Sequence, residues 1–488
     1  MTVTQETPRP HLRATLILAC LAQFMVILDV SVVNVALPSI RHALGFSEAG
    51  LQWVVNGYTI TFAGFLLLGG RAADLLGRRR VFVVGLVLFA LASLAGGLAN
   101  SQSVLIVARL VQGLGGAVIA PASLAILTTT FTDPAERNRA VGIWGAMGGA
   151  GGAAGVLLGG VLTDLLSWRW ILFINLPIGL VAAVLAGRML LESTNPHATR
   201  HFDVAGALSA TVGLSLLVFG IVRTDTTGWG DSLTLALIGA GVILLGAFLV
   251  NEGRLAQAPL MPLRLFRSRG LTAANIIIMT VGASTFGMWF FFSLYLQQVR
   301  GYSPLHAGLI FLPMTLLIIT GSLIASRITL RVGAKRLLAV GMLALTVGLA
   351  LFATIQVHSS YLGAMLIPSL LVSFAMPFAF IPSTISATSG VAPQEAGIAS
   401  GIVNTSRMFG GALGLAILAT VATSHSNGLI RDHAARSVDA ALVSGFQVAY
   451  LIGAGMALVG ALVAILVTPA HRPAAVGVGT QATPVIEL

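Results

Sequence analysis

Residues 14–36 read ATLILACLAQFMVILDVSVVNVA, a continuous apolar run with one charged side chain, Asp29. A helix needs about 20 such residues to cross the hydrocarbon core of a bilayer. Lipid offers no hydrogen-bond partners to the backbone, and such runs are too continuously apolar for the alternating strands of a barrel. Thirteen further runs follow, at 51–70, 81–99, 104–126, 140–163, 170–187, 205–222, 233–250, 271–295, 307–326, 337–355, 361–386, 397–422 and 446–467. The sequence therefore predicts an all-α polytopic membrane protein with 14 transmembrane helices.

The composition excludes a soluble protein. Of the 488 residues, 56% are hydrophobic and 9% are charged, whereas about a quarter of an ordinary soluble domain is charged. Cys20 is the single cysteine, which excludes an intramolecular disulfide, and no Cys/His cluster has metal-ligand spacing. We therefore expect neither a metal site nor a cofactor. The first run, which follows Arg9 and Arg13, also resembles a secretory signal, but the many later runs favour a first spanning helix.

The basic residues are distributed unevenly between the two sides of the predicted helices. If both termini are cytoplasmic, nineteen Lys and Arg residues lie on that side, six lie on the external side and two lie inside helices. Basic residues accumulate on the cytoplasmic side of membrane proteins, so this orientation is the predicted one. The net charge of +11 then reflects topology and predicts no binding to nucleic acid. The predicted location is the bacterial plasma membrane, and the lipid bilayer surrounds the predicted helices.

An internal repeat occurs at an offset of 256 residues. The tripeptide 45–47 recurs as 301–303, and the loop 77–80 recurs as 333–336. Repeated sequence at one offset indicates duplicated halves. The predicted division is a cytoplasmic tail 1–13, a six-helix bundle 14–187, a linker 188–270 with two inserted helices at about 205–222 and 233–250, a second six-helix bundle 271–467, and a cytoplasmic tail 468–488.

Two related helical halves predict a transporter. In such proteins the substrate site lies between the halves and is opened to each side in turn. The chain has no phosphate-binding loop of the Gly-x-x-x-x-Gly-Lys-Ser/Thr type, and Lys335 is the sole lysine. The energy for transport is therefore expected from an ion gradient or from the substrate rather than from ATP.

Several motifs carry a resemblance to a known family. Residues 70–80 read GRAADLLGRRR and are similar to the loop motif of the major facilitator superfamily. Residues 28–38 read LDVSVVNVALP and resemble the first-helix motif of its fourteen-helix drug:proton antiporters, the EmrB/QacA-like multidrug exporters. The resemblance covers essentially the whole chain. It implies two six-helix bundles plus two inserted helices, and proton-coupled efflux of amphipathic small molecules such as antibiotics.

The loop motif supplies a candidate cytoplasmic gate. A glycine permits a tight turn, the arginines hold the loop in the cytosol, and the aspartate can pair with a basic residue or a helix end when the cytoplasmic side closes. The second copy of the loop has Leu330 in place of this aspartate. A loop that only sets topology is the alternative interpretation. The candidate gate residues are Gly70, Asp74, Gly77, Arg78 and Arg79.

Asp29 and Arg109 are the candidates for proton coupling. A carboxylate inside a membrane is costly when charged, so Asp29 is expected to exchange a proton, or to bind a cationic substrate. Arg109 begins the segment 109–116, RLVQGLGG, which resembles the superfamily motif whose arginine is linked to proton transfer. Arginine keeps its proton, so Arg109 is expected to act as a fixed charge beside Asp29. The alternatives are a wetted Asp29 at a helix end or bonded to Asn34, and an outward-pointing packing Arg109.

Glycines at four-residue spacing mark the fifth predicted helix. Glycines so placed form a flat face that another helix can approach closely. The pattern resembles the antiporter motif, which is characteristic of exporters, although Val156 stands where that motif has proline. The departure predicts a less kinked helix and leaves an uptake carrier on the same fold as the alternative. The candidate packing residues are Gly151, Gly155, Gly159 and Gly160.

Several polar and aromatic residues could line a substrate cavity, although aromatic stripes are more often core or lipid-facing. These are Asn34, Trp53, Tyr58, Trp289, Asn404 and Arg407. In the family that the chain resembles, exporters of dications tend to have additional acidic residues in their cavities, so the resemblance and the single carboxylate together favour monovalent or neutral substrates. A membrane enzyme would need acidic or His residues clustered at one membrane face, and the external loops carry only scattered charges, so no enzyme is expected. The protein is expected to function as a monomer.

Overall fold

The computed structural model describes residues 12–194, 201–389, 391 and 395–469. Residues 1–11 and 470–488 of the predicted tails, and 195–200 of the linker, lie outside the described residues. The α-helices are α1 (Leu12–Leu44), α2 (Glu48–Leu76), α3 (Arg78–Gly97), α4 (Gln102–Thr130), α5 (Pro134–Leu165), α6 (Trp170–Phe173), α7 (Asn175–Met189), α8 (Val204–Thr227), α9 (Ser232–Val250), α10 (Arg269–Leu294), α11 (Pro304–Val332), α12 (Ala334–Phe352), α13 (Ile367–Thr388), α14 (Ala396–Arg431) and α15 (Val438–Leu466).

These helices confirm the predicted fold class. Over the described residues, 14 helical spans are long and apolar enough to cross a membrane, and no strand is present. Short π-helical turns extend α9 over Asn251–Leu255, extend α10 over Tyr295–Val299 and precede α13 over Tyr361–Leu366. A 3-10 turn lies at Leu263–Arg267. Several helices run past the predicted apolar stretch; α1, for example, ends at Leu44 rather than at 36.

The sixth predicted helix, 170–187, is not continuous. It divides at Ile174 into α6 and α7, which together form one span, Trp170–Met189. Pro177 has no backbone N–H to donate to the carbonyl of Phe173, and its ring crowds that carbonyl, so the helix is interrupted one turn before the proline. The break places Asn175 at the start of α7 inside the membrane.

The two copies of each repeated motif share the same backbone conformation. Gly45 and Gly301 have φ of 67° and 65°, and Gly77 and Gly333 have φ of 105° and 90°. Positive φ is readily available to glycine and costly for other residues. Each half of the chain therefore contains two glycine turns, and each turn has the same conformation as its counterpart in the other half.

The helices pack into two groups with a hairpin beside them. Residues from α1 to α7 pack mainly with one another, as do those from α10 to α15, and the two groups meet through α5 with α11, α2 with α14, and α1 with α10. Helices α8 and α9 pair with each other, and α8 lies against α2 and α14. In α9 the buried residues are Thr234 and Gly241, so most of this helix faces outward. The hairpin therefore lies along the α2–α14 seam.

Polar contacts tie the two cytoplasmic linker segments together. Asp203 caps the start of α8 and accepts hydrogen bonds from the amide Nδ2 of Asn251 at 2.7 and 2.9 Å. Glu252 is 4% exposed and accepts a hydrogen bond from the backbone N–H of Met261 at 2.7 Å. The segment before α8 and the segment after α9 are thus joined through Asp203 and Asn251.

Candidate functional site

Asp29 lies in the middle of α1, fully buried. Its Oδ2 lies 2.5 Å from Nη1 of Arg109, and its Oδ1 accepts hydrogen bonds from Gln112 at 2.7 Å and Asn175 at 2.9 Å. Three donors around one carboxylate stabilise its charged form against the cost of burial. Asp29 is therefore neither wetted nor bonded to Asn34, whose amide donates to the carbonyl of Val30 instead, so that alternative is wrong.

Arg109 is the matching charge, and it is 2% exposed. Its Nε donates to the carbonyl of Val54 at 2.9 Å, its Nη1 donates to Gln112 at 2.8 Å, and its guanidinium lies over the ring of Tyr58 at 4.6 Å. Gln112, one turn along α4, in turn donates to the hydroxyl of Ser93 at 2.6 Å. Arg109 thus points into the first group of helices, and the outward-pointing alternative is also wrong.

Sequence reasoning missed three members of this network. Gln112 lies in the quoted motif but was given no role, and Ser93 carries no pattern that would have selected it. Asn175 offered a signal, because it is an amide inside an otherwise apolar predicted span. A buried amide needs a partner, and that requirement points to another polar group within the membrane.

The glycines of α5 allow α1 to approach its backbone. A Cβ on Gly151, Gly155 or Gly159 would lie 2.6, 2.8 or 2.9 Å from the backbone carbonyl oxygens of Phe24, Leu28 or Val32, respectively. Such distances leave no room for a side chain, so the two backbones are in direct contact. Because Leu28 precedes Asp29, this contact fixes the height of the carboxylate in the membrane.

Gly160 has a different neighbour. A Cβ there would lie 2.8 Å from the carbonyl oxygen of Pro304 in α11, and a Cβ on Gly308 would lie 2.8 Å from the carbonyl oxygen of Val156. The four glycines that the sequence grouped together therefore serve two contacts. Three face α1, and Gly160 joins α5 to the second group of helices.

The external ends of α1 and α10 are joined by hydrogen bonds to backbone carbonyls. Pro38 lies inside α1 and has no N–H, so the carbonyl of Asn34, four residues earlier, loses its helical partner. The hydroxyl of Ser293 donates to that carbonyl at 2.6 Å. Gln297, one turn further, donates to the carbonyl of Val35 at 2.8 Å. The proline thus leaves the carbonyl of Asn34 without a helical donor, and Ser293 of the other group of helices supplies one.

Arg41 adds a side-chain contact at the same end. Its Nη1 lies 2.8 Å from Oε1 of Glu48 in α2 and 2.8 Å from Oε1 of Gln298 beyond α10. Together with the contact of Gly160 and Pro304, these bonds close the external end of the interface between the two groups of helices.

The same interface opens toward the cytoplasmic end. A Cβ on Gly149 would lie 2.8 Å from Ile319 of α11, but one and two turns nearer the cytoplasm, on the same face of α5, Gly145 and Gly142 have nothing within 4 Å. On α11, Leu323 follows Ile319 by one turn and is 60% exposed. Helices α5 and α11 therefore diverge below Gly149, and the interface is open to the cytoplasm along this seam, whereas α2 and α14 remain packed where a Cβ on Gly401 would lie 2.7 Å from Leu67.

The candidate gate residues form an ion pair within their own loop. Nη2 of Arg78 lies 2.7 Å from Oδ1 of Asp74, which is one turn away across the helix break. Gly70 packs against the ring of Pro121 in α4. In this cytoplasm-open structure Asp74 is thus paired within its own loop.

Glu192 holds the other side of this loop, and sequence reasoning missed it. Its carboxylate accepts hydrogen bonds from the backbone N–H groups of Arg79 at 3.1 Å and Arg80 at 3.2 Å. A Cβ on Gly77 would lie 2.6 Å from Oε1 of Glu192, which explains why glycine fits there. A carboxylate at a helix N-terminus satisfies free N–H groups and complements the helix dipole. Glu192 therefore caps α3.

The aromatic cavity candidates are found in separate places. Trp53 lies against Phe219 of the inserted helix α8, with ring centroids 6.0 Å apart. Trp289 stacks on Phe311 within the second group of helices at 5.1 Å. Tyr58 is buried beneath Arg109. The structure does not bring these three rings together.

Arg407 is the second arginine inside the predicted helices, and it is half-buried in α14. Its Nη2 donates to Oδ1 of Asn404 at 3.1 Å, and its guanidinium lies 5.6 Å from the centre of the Phe380 ring. Its buried Nε has no hydrogen-bond partner. Among the described residues no carboxylate pairs with Arg407, in contrast to Arg109.

A helical membrane protein with a buried ion pair, closed at one end between two groups of helices and open at the other, is a membrane transporter. A family model for the Major Facilitator Superfamily matches residues 19–415. The chain belongs to the Major Facilitator Superfamily, so it is a multi-pass cell membrane protein that moves small molecules, and not an enzyme.

Named relatives and a solved structure agree. The chain is similar to the cephamycin export protein CmcT of Amycolatopsis lactamdurans, with 44% identity over 87% of this chain and 88% of the relative. It is also similar to the puromycin resistance protein pur8 of Streptomyces alboniger, with 38% identity over 96% and 94% of the two chains. A bacterial homologue of the human lysosomal transporter Spinster, in an inward-facing and unoccupied conformation, has the same fold with a TM-score of 0.69 and 16% identity, over 95% and 98% of the chains.

Proposed function

We propose that this protein exports amphipathic small molecules, antibiotics among them, in exchange for protons. The direction is supported by relatives that are named for the export of cephamycin and for resistance to puromycin. The observation that carries the proton coupling is the buried pair of Asp29 and Arg109. A carboxylate that is enclosed in the membrane and can lose its partner is the kind of group that exchanges protons during transport.

Asp29 is the proton carrier in this proposal. In the cytoplasm-open state it has released its proton and binds Arg109, Gln112 and Asn175. When the protein opens outward, a proton from the external side neutralises Asp29 and weakens its attraction for the guanidinium. Arg109 keeps its own proton throughout, so it responds to the charge of Asp29 rather than carrying a proton itself.

Alternating access requires the two bundles, 14–187 and 271–467, to rock against each other. The bonds from Ser293 and Gln297 to α1 break when the external end opens, while α5 and α11 come together at Gly142 and Gly145 when the cytoplasmic end closes. In the closed state the loop with Gly70, Asp74 and Gly77 latches against the second bundle. Both bundles belong to one chain, so a monomer suffices.

A transport assay tests the proposal. Energised cells that express the wild type are expected to accumulate less of a cephamycin than cells without it, and a protonophore is expected to abolish the difference. Asp29→Asn should behave like the protonophore, because a neutral amide binds Gln112 and Arg109 but cannot exchange a proton. The matched control is Asp164→Asn, which removes an exposed carboxylate at the external end of α5.

The outcomes separate the parts of the proposal. Reduced accumulation that survives both Asp29→Asn and the protonophore would leave an exporter that does not use protons. Reduced accumulation that survives Asp29→Asn but not the protonophore would move the proton to another residue. Increased accumulation in wild-type cells would identify an uptake carrier instead.

A further inference from the structure

The guanidinium of Arg407 has more N–H donors than the described residues around it have acceptors. Nε of Arg407 is buried and has no hydrogen-bond partner. A guanidinium has five N–H donors, and the described residues accept from Arg407 once, through Asn404.

The charges at this depth of the membrane do not balance. Asp29 is neutralised by Arg109 and is fully enclosed, so it leaves no negative charge to face the opening. Arg407 adds a positive charge that no carboxylate of the described residues offsets. An uncompensated charge in a membrane protein is costly and marks a functional site. The partner that such a site lacks is an anion.

We propose that Arg407, with the amide of Asn404 beside it, binds an acidic group of the transported molecule. This inference rests on the proposed export function and names its substrate class: amphipathic acids, with a carboxylate as the group that a planar guanidinium binds best. Arg407 is half-buried, and the bundles diverge toward the cytoplasm, so a carboxylate can reach the guanidinium from that side. The apolar part of the molecule then lies between the bundles.

The charge of the substrate changes the energetics of export. When one monoanion leaves the cell and one proton enters, the exchange is equivalent to moving two positive charges inward. A membrane potential that is negative inside therefore drives both movements. A monocation exchanged for one proton would be electroneutral. The enclosed Asp29 offers no site for a cation in this state.

Direct binding to the purified protein in lipid nanodiscs tests the site without requiring transport. The probes are a panel of amphipathic carboxylic acids, including a cephamycin, each beside its own methyl ester, and the measurement is isothermal titration calorimetry. The wild type is expected to bind at least one acid about tenfold to a hundredfold more tightly than its ester, the value of a hydrogen bond to a charged group. Arg407→Gln should remove this difference, and Arg407→Lys should retain part of it.

Two further variants keep the result interpretable. Arg431→Gln removes an exposed arginine at the external end of the same helix and should leave the acid preference unchanged. Asp29→Asn should also keep the acid preference while losing proton-driven export, so failure of the coupling and failure of the site are distinguishable. A panel in which no acid binds more tightly than its ester, or a preference that survives Arg407→Gln, overturns the proposal.

Discussion

The two bundles differ in where their buried polar groups find partners. In the first bundle, Asp29 and Arg109 bond to each other and to amides of the same bundle. In the second bundle, Arg407 has one side-chain partner, and Ser293 and Gln297 donate across the interface to α1. The buried ion pair of the first bundle is therefore self-contained, while Ser293 and Gln297 of the second bundle bond to the other bundle and Arg407 has no carboxylate partner among the described residues. This contrast agrees with the two proposals above, in which the first bundle carries the proton on Asp29 and the second bundle binds the substrate at Arg407.

The largest expected effect is on the free energy of unfolding, which should fall when Arg109 is replaced but not when Arg407 is replaced. Arg109→Gln leaves Asp29 charged and buried without its partner, which should lower the free energy of unfolding by about 3–5 kcal/mol. Arg407→Gln should cost no stability, because the variant loses one hydrogen bond together with an uncompensated charge. Thermal unfolding in detergent measures both. The double variant Asp29→Asn/Arg109→Gln should recover most of the loss, and equal losses for the two single arginine variants would break the contrast.

A smaller effect is expected at the external closure. Ser293→Ala leaves the carbonyl of Asn34, already without its helical donor because of Pro38, unsatisfied, which should destabilise the cytoplasm-open state by about 1–3 kcal/mol. Spin labels on His42→Cys and His306→Cys in a Cys20→Ala background report the external separation of the bundles. The population with a wider separation should increase.

The matched control for this experiment lies on the same helix. Ser284 donates to carbonyls of its own helix at Thr280 and Val281, so Ser284→Ala should leave the label distances unchanged. A distance distribution that is identical for wild type and Ser293→Ala would show that this bond does not hold the external end closed.

The smallest expected effect concerns the missing proline of α5. Val156→Pro would free the carbonyl of Gly152, but the hydroxyl of Ser31 in α1 already donates to that oxygen at 2.7 Å. The proline should therefore be less costly than usual, and Ser31→Ala should raise its cost by about 1 kcal/mol. A double-mutant cycle of unfolding free energies measures this coupling. Additive losses would show that Ser31 does not compensate for the proline.

The motifs and the apolar runs could be predicted from the sequence because each depends on local chemistry. About 20 apolar residues suffice to cross a bilayer, and Gly77 and Gly333 adopt positive φ as their turns require. Asp29 and Arg109 were selected because charge is rare in such runs. Their partners were not, since Asn175 and Ser93 are distant in sequence and are brought to the ion pair by packing alone.

Glu192 illustrates the same limit at the cytoplasmic side. Nothing near it in the sequence relates it to the loop 77–80, yet it caps α3 through two backbone N–H groups. The role of Gly160 was also hidden, because its spacing groups it with the glycines that face α1. A helix has more than one face, and spacing along the chain does not identify the neighbour of each face.

The sequence by itself determined the fold class, the number of spans, their orientation and the family, because these depend on hydrophobicity, on the placement of basic residues and on local motifs. Tertiary structure alone decided that Asp29 is enclosed, that Arg407 has no acidic partner among the described residues, and that Pro38 exposes a carbonyl which Ser293 binds. These features depend on which side chains meet across helices, and each pairing joins residues that are far apart in the chain.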